Sequence, residues 1–218
     1  MNLIVQDLAV GYRGREIASG ISLQAAAGDC LLICGLNGSG KTTLLRTLAG
    51  LLPPVAGSFR ANGRVVMVPT RIPRVKGFTV KEFLCLATGA APADATRAIE
   101  QAGLPTLADR DIATLSDGQF QRACIATALC RKAAVILLDE PTAFLDVENR
   151  VMVLRTLRKV AQETGMAVLF SSHDLHDALQ VAHRVLAFTP AGTFLESTQK
   201  NRPEVLRAAF PILKDAGL

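Results

Sequence analysis

The most constraining feature of the sequence is a glycine-rich turn between an apolar strand and a helix. Residues 31–34 are all apolar, and residues 42–50 show the apolar spacing of a helix. The intervening run GLNGSGKT, residues 35–42, fits the pattern G-x-x-x-x-G-K-[ST] in the strand-turn-helix setting that this pattern requires. Glycines let successive backbone N–H groups surround an anion, and a helix N-terminus adds positive charge. The run therefore predicts a nucleotide phosphate site, which is favoured over a chance glycine-rich turn.

Several residues of this turn have expected roles in holding a nucleotide. Lys41 is expected to reach the β- and γ-phosphates, and the Thr42 hydroxyl to ligate Mg²⁺. Upstream, the single tyrosine Tyr12 offers an aromatic face that could stack on adenine, although an ordinary tyrosine at a strand end explains it equally well. The candidate nucleotide-binding residues of this part are Tyr12, Gly35, Asn37, Gly38, Ser39, Gly40, Lys41, Thr42 and Thr43.

Two further apolar strands end in polar residues that suit catalysis. Asp139 and Glu140 directly follow the apolar run 133–138, and His173 follows the strand-like run 167–170. Ligand sites in α/β sheets gather at the carboxyl ends of strands. We therefore expect Asp139 to hold Mg²⁺, Glu140 to polarise the attacking water, and a neutral His173 to contact the γ-phosphate. Glu140, His173 and Lys41 are the candidate catalytic residues.

The composition favours a cytosolic α/β protein. Half of the residues are hydrophobic and the mean hydropathy is +0.30, yet no apolar run approaches the ~18 residues of a membrane span. A parallel sheet buried on both faces accounts for this excess. The N-terminal residues carry no basic segment and no long apolar core, so no signal peptide is expected.

Charge and cysteine usage exclude other classes. A net charge of +5 suits phosphate ligands or an anionic membrane surface and is too mild to indicate nucleic acid as a partner. The five cysteines lie among apolar neighbours without paired spacing, which predicts reduced, buried thiols rather than zinc ligands or disulfides.

The order of patterns indicates one domain, residues 1–218, with an insertion. Strand patterns cover residues 3–10, 21–25, 58–60 and 65–68, whereas the alanine-rich residues 72–131 show helical patterns at 79–87 and 92–102. A further helix is expected over residues 147–163. The predicted division is an ATP-binding α/β core of residues 1–71 and 132–218 and a helical subdomain of residues 72–131.

The run LSDGQ, residues 115–119, followed by Gln121 and Arg122, resembles the signature of ATP-binding cassette (ABC) ATPases. The phosphate loop, the acidic strand end, residues 144–146 and His173 follow the family's order, so the resemblance spans roughly residues 3–197. It implies a P-loop NTPase (RecA-like) core with a mainly parallel sheet, an N-terminal antiparallel β subdomain and a helical insertion carrying the signature.

The resemblance also implies how the site works. ATP and Mg²⁺ are the expected cofactors, and the expected assembly is a two-fold homodimer in which the phosphate loop of one copy faces the signature of the other. The residues that this adds to the ATP site are Ser116, Gly118 and Gln119 of the signature and Asp146 in the loop after Glu140.

Within the family, the motifs are most similar to those of importers of iron–siderophore, haem and cobalamin type. An importer ATPase implies an integral membrane permease as partner, a substrate-binding protein as indirect partner, and a peripheral location on the cytoplasmic face of the inner membrane. The resemblance favours docking of a permease helix beside residues 70–78, which carry Arg71, Arg74 and Lys76; a solvated loop is the alternative. An exporter or lipoprotein-release ATPase, a soluble cassette protein of DNA repair or translation, and a non-catalytic nucleotide sensor are the other functions considered.

Two positions depart from the family pattern. Asp117 stands where the signature has its first glycine, and its carboxylate would be repelled by phosphate unless it points away. Thr70 stands where family members carry a glutamine that touches Mg²⁺ and the water. Because the threonine side chain is shorter, we expect hydrolysis to proceed without this contact.

Overall fold

The computed structural model of the chain describes residues 1–68, 73–197 and 200–211. Thr70 and Arg71 lie outside the described residues. The strands are β1 (Leu3–Tyr12), β2 (Arg15–Ala25), β3 (Cys30–Gly35), β4 (Ala56–Ala61), β5 (Val65–Val68), β6 (Val135–Leu138), β7 (Ala167–Ser171), β8 (Arg184–Phe188) and β9 (Phe194–Ser197). The helices are α1 (Lys41–Leu48), α2 (Val80–Thr88), α3 (Pro92–Gln101), α4 (Asp117–Cys130), α5 (Val147–Thr164), α6 (Leu175–Val181) and α7 (Arg202–Ala209).

A six-stranded sheet in the order β5-β6-β7-β3-β8-β9 carries the loops of the candidate site. Its first five strands are parallel and β9 runs antiparallel to β8. A separate antiparallel sheet has the order β2-β1-β4. This α/β arrangement confirms the predicted fold class, and it brings the carboxyl ends of β3, β6 and β7 side by side.

The large sheet is covered on both faces. Alternate residues of its strands enter different cores: Leu32 and Ile136 pack in a cluster with residues of α4 and α5, whereas Leu31 and Leu137 pack with residues of α1 and the antiparallel sheet. All four side chains are fully buried. Parallel strands buried on both faces read as continuous apolar runs, which explains the high hydrophobic fraction.

Helices dominate the described residues between 73 and 131. There, α2 is followed by α3, and two short 3-10 turns lie between α3 and α4; the one isolated β-bridge within these residues joins Thr79 to Asp111. Helix α2 begins with a reciprocal cap in which Thr79 accepts from the Glu82 N–H and Glu82 accepts from the Thr79 N–H. Helix α4 packs against α5, which connects this segment to the sheet.

The N-terminal hairpin is longer than the sequence patterns predict. Strand β2 begins at Arg15 rather than at residue 21, because Tyr12 pairs with Arg15 across a two-residue turn. Both turn residues, Arg13 and Gly14, have positive φ angles of 51° and 78°. Such turns follow the right-handed twist of the flanking strands, so the hairpin closes tightly.

Cys30, Cys34 and Cys124 are buried as the sequence predicts, whereas Cys85 and Cys130 are only half-buried. All five cysteines are free thiols, and burial raises the pKa of Cys30, Cys34 and Cys124 to about 12. These three thiols are therefore protonated and unreactive at neutral pH. Among the described residues, no helix is long and apolar enough to cross a bilayer.

Candidate functional site

The glycine-rich turn wraps around the N-terminus of α1. Gly35 ends β3 with φ 143°, and Gly40 precedes the helix with φ 106°. A side chain at Gly35 would lie 2.8 Å from the Phe188 carbonyl oxygen, so this position requires glycine. The Ser39 hydroxyl oxygen is buried and has no hydrogen-bond partner among the described residues. A turn with backbone amides at a helix N-terminus and a buried hydroxyl in need of a partner suits a phosphate group.

Lys41 opens α1 and folds over the turn. Its ammonium donates hydrogen bonds to the carbonyl oxygens of Gly35 at 2.8 Å and Leu36 at 2.9 Å. Burial lowers the pKa of Lys41, and the negative charge of the Glu140 and Asp139 carboxylates opposes that shift. The cation is thus held between the loop and the acidic strand end, where a phosphate would meet it.

The acidic strand end contacts the phosphate loop directly. Asp139 follows β6, and its Oδ2 accepts a hydrogen bond from the Thr42 hydroxyl at 2.8 Å. Its other oxygen, Oδ1, accepts from the Ser171 hydroxyl at 2.8 Å. The two predicted Mg²⁺ ligands therefore lie together, and their hydroxyl and carboxylate oxygens are the donors that Mg²⁺ prefers.

Glu140 and His173 form a pair at the same edge. His173 Nε2 contacts Glu140 Oε1, and both residues line an open pocket with Phe144 and Arg150. Glu140 has a φ of 52°, a left-handed conformation that costs about 1–3 kcal/mol for a residue with a side chain. Such strain persists only where neighbours fix the backbone, and here the Ser171 hydroxyl accepts from the Glu140 N–H at 2.9 Å.

The signature residues form the N-terminus of α4. Ser116 caps the helix by accepting from the Gln119 N–H at 3.3 Å, and Gln119 accepts from the Ser116 N–H at 3.0 Å. A side chain added at Gly118 would lie 2.4 Å from Asn149 Oδ1, so glycine permits close packing there.

Asp146 connects to the signature through the same asparagine. It caps α5 by accepting from the Asn149 N–H at 2.8 Å, and its other oxygen accepts from the Asn149 amide at 2.8 Å. These two hydrogen bonds lower the pKa of Asp146. Asn149 therefore joins the start of α5 to Gly118 of α4 within one chain.

Asp117 is paired with a cation. Its side chain is 74% exposed and contacts the guanidinium of Arg74. Arg74 also donates to the Leu115 carbonyl oxygen at 2.6 Å and lies 4.9 Å above the ring of Phe120. Arg74 thus contacts a carboxylate, a carbonyl oxygen and an aromatic ring of the signature segment. Its positive charge compensates the negative charge of Asp117.

Tyr12 lies at the end of β1 with its ring partly exposed. Its hydroxyl accepts a hydrogen bond from Arg46 at 3.1 Å. An exposed ring is available for stacking, and an ordinary surface tyrosine would look the same, so both interpretations stand.

Three contributors to this geometry were missed by sequence reasoning: Ser171, Asn149 and Arg74. Ser171 ends an otherwise apolar strand two residues before His173, and this polar residue in a buried run was the available signal. Asn149 and Arg74 carry no comparable signal for their contacts with the signature, because those contacts span 31 and more than 40 residues of the chain.

Residues 18–143 match the family model described as ABC transporter. The chain belongs to the ABC transporter family. As an ABC ATPase it binds and hydrolyses ATP, which confirms the predicted family and enzyme class.

Several relatives of this ABC ATPase are importer components. It is 43% identical to the zinc import ATP-binding protein ZnuC of Cereibacter sphaeroides over 85% of this chain and 79% of that protein. It is 28% identical to the iron(3+)-hydroxamate import ATP-binding protein FhuC of Bacillus subtilis over 97% of this chain and 88% of the relative. A solved structure described as an inward-facing, metal-chelate type ABC transporter superposes with a TM-score of 0.84 at 29% identity, covering 96% of this chain and 88% of that one.

Proposed function

We propose that this chain is the ATPase subunit of a metal importer, working as a homodimer beneath a membrane permease at the cytoplasmic face of the inner membrane. The observation that carries the proposal is its similarity to the zinc import ATP-binding protein of Cereibacter sphaeroides, 43% identical over 85% of the chain. Zinc is accordingly the first candidate cargo. A substrate-binding protein is the indirect partner.

Chelated iron is the second candidate cargo. The iron(3+)-hydroxamate relative matches over 97% of the chain, and the similar solved structure is described as metal-chelate type. Both observations support the iron–siderophore part of the expectation from the sequence. The cargo would be recognised by the permease and the binding protein, while this chain supplies the energy.

The cargo is tested by reconstituting the chain with its permease and binding protein in proteoliposomes. We expect ATP-dependent uptake of radioactive zinc that exceeds uptake of an iron–hydroxamate complex. Uptake of the iron complex alone would make chelated iron the first candidate. ATP-dependent uptake into inverted vesicles, whose cytoplasmic face points outward, would refute import in favour of the exporter alternative. A Lys41→Ala chain in the same vesicles serves as the inactive control.

The phosphate loop and the acidic pair divide the work on ATP. Gly35, Asn37, Gly38, Ser39, Gly40 and Thr43 form or flank the loop that would hold the phosphates, and Lys41 would neutralise the β- and γ-phosphates. Thr42 and Asp139 fit Mg²⁺ as an oxygen pair joined at 2.8 Å. Bound there, Mg²⁺ would neutralise charge on the transferred phosphoryl group.

Glu140 would act as the general base. Its carboxylate lies at the carboxyl edge of the sheet, in contact with His173. A base needs a fixed direction, and the imidazole would hold the carboxylate toward the water while its ring faces the γ-phosphate. This pair supports hydrolysis and argues against a non-catalytic nucleotide sensor.

A second copy would complete the site. Ser116, Gly118, Gln119 and Asp146 lie on the helical segment and at the start of α5, so a two-fold axis would place them against the partner's phosphate loop. Two apolar side chains flank Asp146 and face solvent: Phe144 is 82% exposed and Val147 is 69% exposed. Exposed apolar neighbours of this kind mark a surface that a partner covers.

We also propose the division into a core of residues 1–71 and 132–218 and a helical subdomain of residues 72–131.

The permease would dock beside the segment between residues 73 and 78. Arg74 is engaged with the signature, so the outward contacts would fall to Val75, an exposed apolar residue, and to Lys76. A photo-crosslinker at Val75 is expected to capture the permease in membranes, whereas one at Lys159 on α5 is the matched exposed control. Capture of soluble proteins alone from Val75 would count against a transporter role and for the soluble-cassette alternative.

A further inference from the structure

Ser171 is a buried polar residue at the end of an apolar strand. The other residues of β7 are Ala167, Val168, Leu169 and Phe170, and Ser171 itself is 0% exposed. Buried polar groups need hydrogen-bond partners, so a serine at this position would destabilise the fold unless the fold supplied such partners. The partners are the two acidic residues of the site rather than the backbone of its own strand.

The register of the sheet places this hydroxyl at the acidic pair. Phe170 lies opposite Leu138 of β6, so the next residues, Ser171 and Asp139, come side by side. On its other side Ser171 pairs with Ile33 of β3, which fixes its backbone in the parallel ladder. The position of the hydroxyl is therefore set by three strands.

One hydroxyl holds two functional groups at once. A serine hydroxyl has one hydrogen to donate and lone pairs to accept. Ser171 donates to Asp139 Oδ1 at 2.8 Å and accepts from the Glu140 N–H at 2.9 Å. With Oδ1 held in this way, Oδ2 of Asp139 faces the Thr42 hydroxyl at 2.8 Å.

The second hydrogen bond acts on the backbone of the base. Glu140 adopts a left-handed φ of 52°, and its N–H points to Ser171. Hydrogen bonds in such a chain strengthen one another, so loss of the hydroxyl would loosen both the carboxylate and the peptide that aims Glu140.

We propose that Ser171 is a positioning residue for hydrolysis, which fixes the Asp139 carboxylate for Mg²⁺ and the direction of Glu140. This inference rests on the roles proposed above for Asp139 and Glu140. Ser171 touches neither nucleotide nor water in this account. Its removal should therefore lower the catalytic rate and the benefit of Mg²⁺, and leave the binding of ATP by the phosphate loop nearly unchanged.

The test compares Ser171→Ala with Ser171→Thr, which keeps the hydroxyl on a side chain suited to a strand. Ser197→Ala is the matched control, because Ser197 is also fully buried and its hydroxyl accepts from the Val185 N–H at 3.1 Å on the edge strand β9. For Ser171→Ala we expect kcat to fall about tenfold or more with KM for ATP within about threefold, the scale of losing hydrogen bonds to a charged group. Threonine should restore most of kcat, and the control should retain it.

A binding measurement gives a readout independent of turnover. In wild type, Mg²⁺ is expected to tighten binding of a fluorescent ATP analogue, and in Ser171→Ala the Mg²⁺ concentration needed for this effect should rise about fivefold or more, since one of its ligands is loosened. Binding without Mg²⁺ should match wild type. If wild type shows no Mg²⁺ effect, the proposed metal site fails; if both proteins respond equally, only the role of Ser171 fails.

The remaining outcomes also decide the matter. A kcat of Ser171→Ala within twofold of wild type, an equal loss in Ser197→Ala, or no restoration by threonine would each overturn the inference. Should the alanine variant fail to fold, Ser171→Cys replaces it, because a thiol fills the site and forms only weak hydrogen bonds. A folded cysteine variant with the wild-type kcat would overturn the inference as well.

Discussion

The contact between Glu140 and His173 determines what single substitutions should do at the catalytic edge. Glu140→Gln keeps the shape and the backbone hydrogen bond to Ser171 and removes the basic oxygen. We expect ATP binding to persist and turnover to fall about a hundredfold or more, the usual scale for losing a positioned base. Phosphate release from purified protein measures this, and a rate near wild type would show that another group acts as the base.

Substitution of Lys41, in contrast, should weaken the binding of ATP. Its ammonium is held by the loop carbonyls at 2.8 and 2.9 Å, so Lys41→Ala removes the charge that would meet the phosphates and leaves the loop glycines in place. We expect the affinity for a fluorescent ATP analogue to fall about tenfold or more, because charge-assisted hydrogen bonds to phosphate are stronger than those between neutral groups. Unchanged affinity would contradict the role of Lys41, and Lys159→Ala on α5 is the control for loss of a surface lysine.

Sequence and structure contribute differently at this scale. Lys41, Thr42, Asp139 and Glu140 could be placed by spacing, because each directly follows an apolar strand or starts a helix. Ser171 acts through a register between three strands that no short pattern encodes. The departure at Asp117 was visible in the sequence, and its compensation by Arg74 required the fold.

At the scale of elements, the start of α4 depends on an arginine from outside the helix. Arg74 contacts Asp117, bonds the Leu115 carbonyl and covers the Phe120 ring. Exposed ion pairs add only about 0–1 kcal/mol to stability, so we expect the pair to matter for turnover more than for folding.

Arg74→Ala would leave the Asp117 carboxylate uncompensated at a helix start proposed to face phosphate. ATPase activity should fall about threefold to tenfold, and the double variant Arg74→Ala/Asp117→Gly should recover part of it because the repelling charge is gone; such coupling is what a double-mutant cycle measures. Additive losses would mean that Arg74 acts by another route. Asp117→Gly alone is the matched control and should retain activity near wild type.

Helices and strands differ in how far the sequence specifies them. Helices α2 and α3 were predicted to within two residues from their helical patterns, with Pro92 marking the start of α3. The β1–β2 hairpin was predicted too short. Its turn places Arg13 at a positive φ, and arginine is not one of the residues that usually signal such a turn. Strands β8 and β9 and helices α6 and α7 have short, ambiguous patterns and were not predicted.

At the scale of the whole molecule, the residues proposed to form the ATP site lie in two separate parts of one chain. The phosphate loop and acidic pair lie at the carboxyl edge of the six-stranded sheet, and the signature starts a helix of the helical segment. The exposed Phe144 and Val147 beside Asp146 support the proposal that a second copy covers this surface and completes the site. ATP would then join the two copies, and hydrolysis by Glu140 would separate them.

The most direct test is the mass of Glu140→Gln in solution with and without ATP and Mg²⁺, measured by light scattering. With both present, hydrolysis is blocked, so the account predicts a species of twice the 23.1 kDa chain mass that returns to monomer when ATP is withdrawn. The double variant Lys41→Ala/Glu140→Gln should stay monomeric. A Glu140→Gln protein that binds ATP with Mg²⁺ and remains a monomer at every concentration would contradict the account.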